Sequence, residues 1–144
     1  MSVQQLSVFV ENKPGTLGEL MRLLAKNDVN IRALSLAETQ NFGIVRLIVD
    51  DVVSATDILK QNDYISSLTP VVIVGIPDEV GSLSVILELI KNAGVNIEYM
   101  YAIPGHKGAE DAYMIFRLSD EQAAEKVLSA QGYKIVAQDE VEAL

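Results

Sequence analysis

Pro14-Gly15-Thr16-Leu17 and Val80-Gly81-Ser82-Leu83 stand 66 residues apart, and that offset holds far beyond the two tetrapeptides. Leu17, Leu20, Met21, Leu23 and Leu24 align with Leu83, Ile86, Leu87, Leu89 and Ile90, and Val29-Asn30-Ile31 aligns with Val95-Asn96-Ile97. Further on the offset becomes 69, pairing Asp51 with Asp120, Ile58-Leu59 with Val127-Leu128 and Tyr64 with Tyr133. Self-similarity of this extent marks one structural unit written twice. The extra residues of the second copy fall in the polar stretch from Pro104 to Asp111, opposite the shorter Glu38-Thr39-Gln40-Asn41, where a turn tip absorbs an insertion without disturbing the core.

Each copy reads as the same series of elements. Leu6, Val8 and Val10 alternate with Ser7 and Phe9, as do Val72, Val74 and Ile76 in the second copy, which predicts an opening strand. After Gly15, apolar residues at 17, 20, 21 and 24 share one helical face, and Thr16 with Glu19 suggests a capping box. Strands are expected near Ile31 to Ala37 and Ile44 to Asp50, then a helix with Ala55, Ile58 and Leu59 inward, matched by Ala124, Val127 and Leu128, then a closing strand. The order βαββαβ, twice, predicts an α+β protein of two ferredoxin-like domains in tandem, with antiparallel sheets and helices on one face. The boundary is expected around Ser66 to Pro70, giving domains 1–68 and 69–144. Each half is near the size at which a lone core is only marginally stable, which favours two units packed as one body.

Composition excludes several functions. There is no cysteine, so neither a disulfide framework nor a thiolate metal site exists. The net charge is −9, and no basic stripe is present, which argues against nucleic acid as a partner. Residues 1–68 hold six Lys/Arg against eight Asp/Glu, and 69–144 five against twelve, so the halves carry −2 and −7; solubility is the simplest use of that acidity. The N-terminus lacks the pattern of a signal peptide and no apolar stretch is long enough to span a bilayer, so a cytoplasmic protein without membrane contact is expected. His106, the only histidine, lies in the Gly-rich stretch of the second copy with no partner for a catalytic dyad or metal site, and no phosphate loop or nucleophile turn occurs. A non-enzymatic protein that needs no cofactor and no metal is expected. Gly18, inside the first helix, either allows close approach of the ligand loop or neighbouring unit or is simply tolerated at a cost of about 1 kcal/mol.

The loop that turns from the first strand into the first helix is the candidate site. Unpaired N–H groups and the helix dipole there favour an anion such as a carboxylate, and Gly15 lets a ligand approach the backbone. An Asn side chain donates and accepts, so Asn12 at this end and Asn30 at the other could together clamp a zwitterion; alternatively Asn12 makes an Asx turn and Asn30 caps the helix exit.

Glu11-Asn12-Lys13-Pro14-Gly15-Thr16-Leu17, followed by Asp28-Val29-Asn30-Ile31, resembles the ACT-domain signature, especially that of the regulatory domain of bacterial phosphoglycerate dehydrogenase. The resemblance covers both copies. It implies binding of a free amino acid for regulation and nominates Asn12, Pro14, Gly15, Thr16, Leu17 and Asn30, with Asp78, Gly81, Ser82, Leu83 and Asn96 as second-copy counterparts. Val10 stands where that dehydrogenase has a ligand-contacting His, and Val80 where the family usually has Pro, so serine is not carried over as the ligand. In the family, units pair side by side with ligands between one unit's loop and the other's second strand, which adds Leu34, Ser35, Tyr99 and Met100 as possible lining. Glu11, Glu38, Asp78 and Glu98 tilt the choice of ligand towards a cationic or imidazole side chain. A homodimer is implied, with a metabolic enzyme or regulator as partner in trans; the competing reading is a protein-interaction module with vestigial pockets.

Overall fold

The computed structural model describes residues 2–104 and 111–144. In chain order the elements are β1 (Val3–Glu11), α1 (Thr16–Lys26), β2 (Ile31–Glu38), β3 (Phe42–Val49), α2 (Val52–Gln61), β4 (Ile65–Pro77), α3 (Ser82–Asn92), β5 (Ile97–Ile103), β6 (Asp111–Leu118), α4 (Glu121–Ala130), β7 (Lys134–Ile135) and a closing 3-10 turn (Gln138–Ala143). This is the expected βαββαβ order, twice, in an α+β fold. The strand that closes the first repeat and the one that opens the second are a single strand, β4, which runs without a break through Pro70. By internal contacts one unit comprises Gln4–Thr69 with the tail Val141–Leu144, and the other Pro70–Glu140 with the first residues of the chain up to Val3.

In the first unit β1 and β2 both pair antiparallel with β3, with Val8 opposite Val45 and Leu36 opposite Val45 on the other side. Leu6, Val8 and Val10 meet Val45, Leu47 and Val49, and the helices close over them with Leu20, Leu24, Ala55 and Leu59. In the second unit β6 lies between β4 and β5, and β7 pairs with β4. Its core joins Val72, Val74, Ile76, Phe116 and Leu118 to Ile86, Ile90, Ala124 and Leu128. The helical spacing that marks these positions works because i, i+3, i+4 and i+7 fall on one face, which the sheet covers. Burying each such Leu or Ile contributes on the order of 2 kcal/mol.

The helix starts correct one expectation. Gly15, not Thr16, is the N-cap of α1, with φ 90° and no side-chain cap; Gly81 does the same for α3 at φ 88°. A residue with a Cβ is strained there, which is why glycine occupies the turn in both copies. Thr16 is already the first helical residue, and its hydroxyl donates back to the carbonyls of Glu11 (2.7 Å) and Lys13 (3.0 Å), so the proposed capping box with Glu19 does not form. By contrast α2 and α4 are capped by Asp51 and Asp120, whose carboxylates accept from Ser54 and Ala123 N–H at 3.0 Å.

Candidate functional site

Because Gly15 caps α1 with backbone alone, the first turn keeps donors to spare. Glu19 N donates to Gly15 O and Thr16 N to Lys13 O, whereas Leu17 and Gly18 N–H have no acceptor among the described residues. They edge a cleft of about 330 Å³, large enough for a small molecule, lined by Val10, Glu11, Asn12, Lys13, Gly15, Thr16, Leu17, Gly18, Leu36, Glu38 and Gly43. Its rim is charged and its floor apolar. A Cβ on Gly18 would meet nothing within 4 Å, so this helical glycine opens on free space. Gly43 is different: a Cβ there would come 3.2 Å from Leu36 Cδ1 and 3.4 Å from Val10 Cγ2, so the floor is closed by backbone lying against those two side chains.

On the rim, Asn12 Nδ2 donates to Glu38 Oε2 at 3.4 Å, a long bond that ties the loop to the end of β2. Lys13 pairs with Glu11 at 3.0 Å; both are well exposed, and this pair raises the Lys13 pKa. Exposed pairs of this kind contribute little stability. The cleft therefore offers N–H donors, one ammonium, and the carboxylates of Glu11 and Glu38, a set that can meet both ends of a zwitterion.

Asn30 does not belong to that cleft. Helix α1 separates it from Asn12 by roughly 16 Å of helix, so one unit cannot bring the two amides onto one small ligand. Nor does Asn30 cap the helix. The exit is made by Asn27, whose Nδ2 donates to Leu23 O at 2.9 Å, and by Asp28 at φ 57°. The Asn30 side chain instead donates to Asp50 Oδ2 at 3.0 Å. Arg32 grips the same carboxylate, Nε to Oδ1 at 2.6 Å and Nη2 to Oδ2 at 3.0 Å, and donates onward to the backbone carbonyls of Glu142 (2.6 Å) and Leu144 (3.1 Å). The Arg32 guanidinium, and secondarily the Asn30 amide, hold the Asp50 carboxyl below its ordinary pKa against the opposing effect of burial. Arg32 is placed there by the strand itself: the register of β2 slips between Ile31 and Ala33, leaving Arg32 as a bulged residue.

In the second unit the loop repeats the turn, with Asp78 exposed, Ser82 N bonded to Glu79 O, and Leu83 and Ser84 N–H without an acceptor among the described residues. Asn96 is exposed; its backbone N–H donates to Ser119 Oγ at 2.9 Å, and its side chain bonds no other described residue. Leu34 and Ser35 lie on β2, an edge strand, with Leu34 40 % exposed, while Tyr99 stacks on Tyr101 at 6.5 Å. His106 lies outside the described residues. Sequence reading had singled out Gly18 beside the loop, but it missed Gly43 and Leu36 as cleft residues and Arg32 and Asp50 as neighbours of Asn30. A Gly after the turn-like Asn41-Phe42 was the available signal for the floor; nothing local pointed to the Arg32–Asp50 pair.

A duplicated ferredoxin-like unit with an open, glycine-capped loop beside its first strand defines the class as a tandem α+β domain pair. The whole chain, residues 1–144, matches the model of the ACT domain pair, and the protein belongs to that family. Among solved structures it is similar to protein BT0572 from Bacteroides thetaiotaomicron, at 35% identity and a TM-score of 0.92, over 100% of this chain and 98% of that one. It shares its fold with the regulatory subunit of aspartate kinase from Thermus thermophilus in a ligand-free form (18% identity, TM-score 0.65, 92% of each chain). The same holds for the corresponding subunit from Thermus flavus (15% identity, TM-score 0.63, 90% and 92%). No curated protein matches the sequence. Among the described residues no helix is long and apolar enough to cross a membrane.

Proposed function

We propose that this protein binds a free amino acid without transforming it and acts as a cytoplasmic sensor in the regulation of amino-acid metabolism. The observation that carries the reading is the cleft at the start of α1, where two N–H groups without acceptors among the described residues, Asn12, Lys13 and the carboxylates of Glu11 and Glu38 surround about 330 Å³. A ligand carboxylate suits the helix end and a ligand ammonium suits the acidic rim. The fold shared with aspartate kinase regulatory subunits supports a partner enzyme or regulator in trans. In this reading Asn12, Pro14, Gly15, Thr16 and Leu17 serve the ligand of the first loop, and Asp78, Gly81, Ser82 and Leu83 that of the second.

A thermal-shift screen of the full chain against the twenty amino acids tests this. A ligand at 100 times its Kd adds about 2.7 kcal/mol of stability, so a selective shift that Asn12→Ala removes is the expected result. No shift with any amino acid would overturn it. One observation favours the second reading, a module for protein contact: Leu34 and Leu36, 40 % and 52 % exposed, sit together on the edge strand β2, a surface suited to pairing with a second copy. Sedimentation of Leu34→Lys, outside the cleft lining, against the unaltered chain separates them, because loss of a dimer with amino-acid binding retained would confine that surface to assembly.

A further inference from the structure

Leu36 is left half uncovered on a face of the sheet that its neighbours bury. It stands opposite Val45, and cross-strand partners share a face, so it belongs with the core under the helices; yet it is 52 % exposed where Val45 is 0 %. The space beside it is the cleft at the start of α1. There the helix contributes Gly18, where a Cβ would meet nothing within 4 Å, so no side chain from that position closes over Leu36. Val10 and Leu17, which also pack in the core, complete an apolar floor with the Gly43 backbone. Polar groups beside this floor are already engaged. Thr16 donates its one hydroxyl proton to the carbonyls of Glu11 and Lys13, and Glu11 is neutralised by Lys13 at 3.0 Å.

We propose that this cleft selects an α-amino acid with a hydrocarbon side chain, of the valine and leucine class, and that Leu36 is a specificity-determining residue. The inference rests on the amino-acid reading above and adds to it the class of the ligand. Charge decides against the alternatives. With the ligand carboxylate on the Leu17 and Gly18 N–H groups and its ammonium on Glu38, the remaining charges of the rim, Glu11 and Lys13, form a pair of their own. A charged ligand side chain would then lie against Leu36 and Val10 without a partner, and a hydroxyl or amide there would lose its water without gaining a hydrogen bond. A hydrocarbon loses no hydrogen bond and covers Leu36. The acidic side chains near the loop, which tilt a reading of the sequence towards a cationic ligand, are accounted for by Lys13 and the ligand's own ammonium. The second unit is built otherwise. It carries Pro77, Glu79 and Pro104 where the first has Glu11, Lys13 and Glu38, and Ala102 where the first has Leu36, so the selection belongs to the first cleft.

The test is calorimetric titration of the full chain with the twenty L-amino acids, read through pairs of equal size. Valine and threonine differ by a methyl against a hydroxyl, leucine and asparagine by two methyls against an amide, so polarity changes while shape is held. Valine should bind about tenfold more tightly than threonine, and leucine more tightly than asparagine by at least as much. From alanine to α-aminobutyrate, one added methylene should raise affinity roughly fourfold. Asn12→Ala should remove the binding and Asp78→Ala leave it, which assigns it to the first loop. Leu36→Ala, at a half-exposed position, should weaken leucine far more than alanine. The isostere ratios are read on the unaltered chain and stand whether or not Leu36→Ala also loosens an assembly. Threonine or asparagine binding as well as its isostere, or lysine, histidine, aspartate or glutamate binding best, overturns the hydrocarbon class and leaves the amino-acid reading in place. Equal losses for leucine and alanine in Leu36→Ala overturn the role of Leu36, and binding that Asp78→Ala alone removes overturns the assignment to the first cleft. No binding of any of the twenty overturns the class and the amino-acid reading together.

Discussion

The two units share their backbone devices and differ in the chemistry hung on them. Both start their first helix from a left-handed glycine, Gly15 and Gly81, and both leave it through a left-handed residue, Asp28 at φ 57° and Gly94 at φ 75°. Both slip register at the same place in their second strand, at Arg32 and at Glu98. Yet the bulged side chain is a cation in one and an anion in the other, and it joins an aspartate in the first unit and an arginine in the second. The cleft floor diverges in a coordinated way. Gly43 lies against Leu36 in the first unit; their counterparts are Ala112 and Ala102, where the added methyl at one position is matched by a shorter side chain at the other. A duplicated fold thus keeps what the backbone requires, while side chains that meet only one another are free to part.

The largest expected effect concerns a feature that one unit alone possesses. Deleting Val141–Leu144 removes a fully buried valine and two carbonyls that accept from Arg32, and should lower stability by about 2–3 kcal/mol in urea unfolding. A loss below about 0.5 kcal/mol would mean that the tail is not integral to the first unit. Next in size, Gly15→Ala and Gly81→Ala should each cost about 1–2 kcal/mol, because the strain is in φ and not in space, and nothing lies within 4 Å of either Cβ. Equal penalties would confirm that the turns are equivalent; a penalty at one position alone would break the symmetry of the comparison. Gly18→Ala should act with the opposite sign, adding up to about 1 kcal/mol of helix stability while filling the cleft mouth, so the protein melts later and, on the proposed amino-acid reading, shows a smaller ligand-induced shift.

The smallest effect is the pH dependence of the Arg32–Asp50 pair. The Asp50 pKa is lowered in the folded chain, so its contribution is present above the ordinary value near 3.8 and is lost as pH falls through the depressed one. Urea unfolding at pH 7 and at progressively lower pH should show Asp50→Asn less stable by about 1 kcal/mol at neutrality, with the gap closing on acidification. Ser119→Asn, at the counterpart position with no such pair, should leave the pH profile unchanged. A gap that persists at low pH would place the effect in packing and not in charge.

Much of this architecture was legible from residues alone. Helical spacing identified the buried faces of α1 and α3, and alternation identified β1, because burial against a sheet imposes its period on the sequence. The loop at Asn12 and Gly15 was visible for the same reason: a left-handed turn into a helix demands a particular residue. The capping box failed because Gly15 took the cap position, one residue earlier than the Thr16 hydroxyl suggested. The boundary region contained a proline but no break, since β4 carries Pro70 within a continuous strand.

What the sequence determined by itself is therefore whatever is local or periodic: two βαββαβ units, their apolar faces, their glycine turns and the loop between first strand and first helix. Tertiary structure alone decided the company of Asn30. Asp50 stands 20 residues away from it, and the carbonyls that hold Arg32 stand more than 100 residues along the chain. Hydrogen bonds between such distant polar groups leave no period and no preferred neighbour in the sequence. They exist only once the sheet has fixed where β2, β3 and the C-terminal turn come to lie.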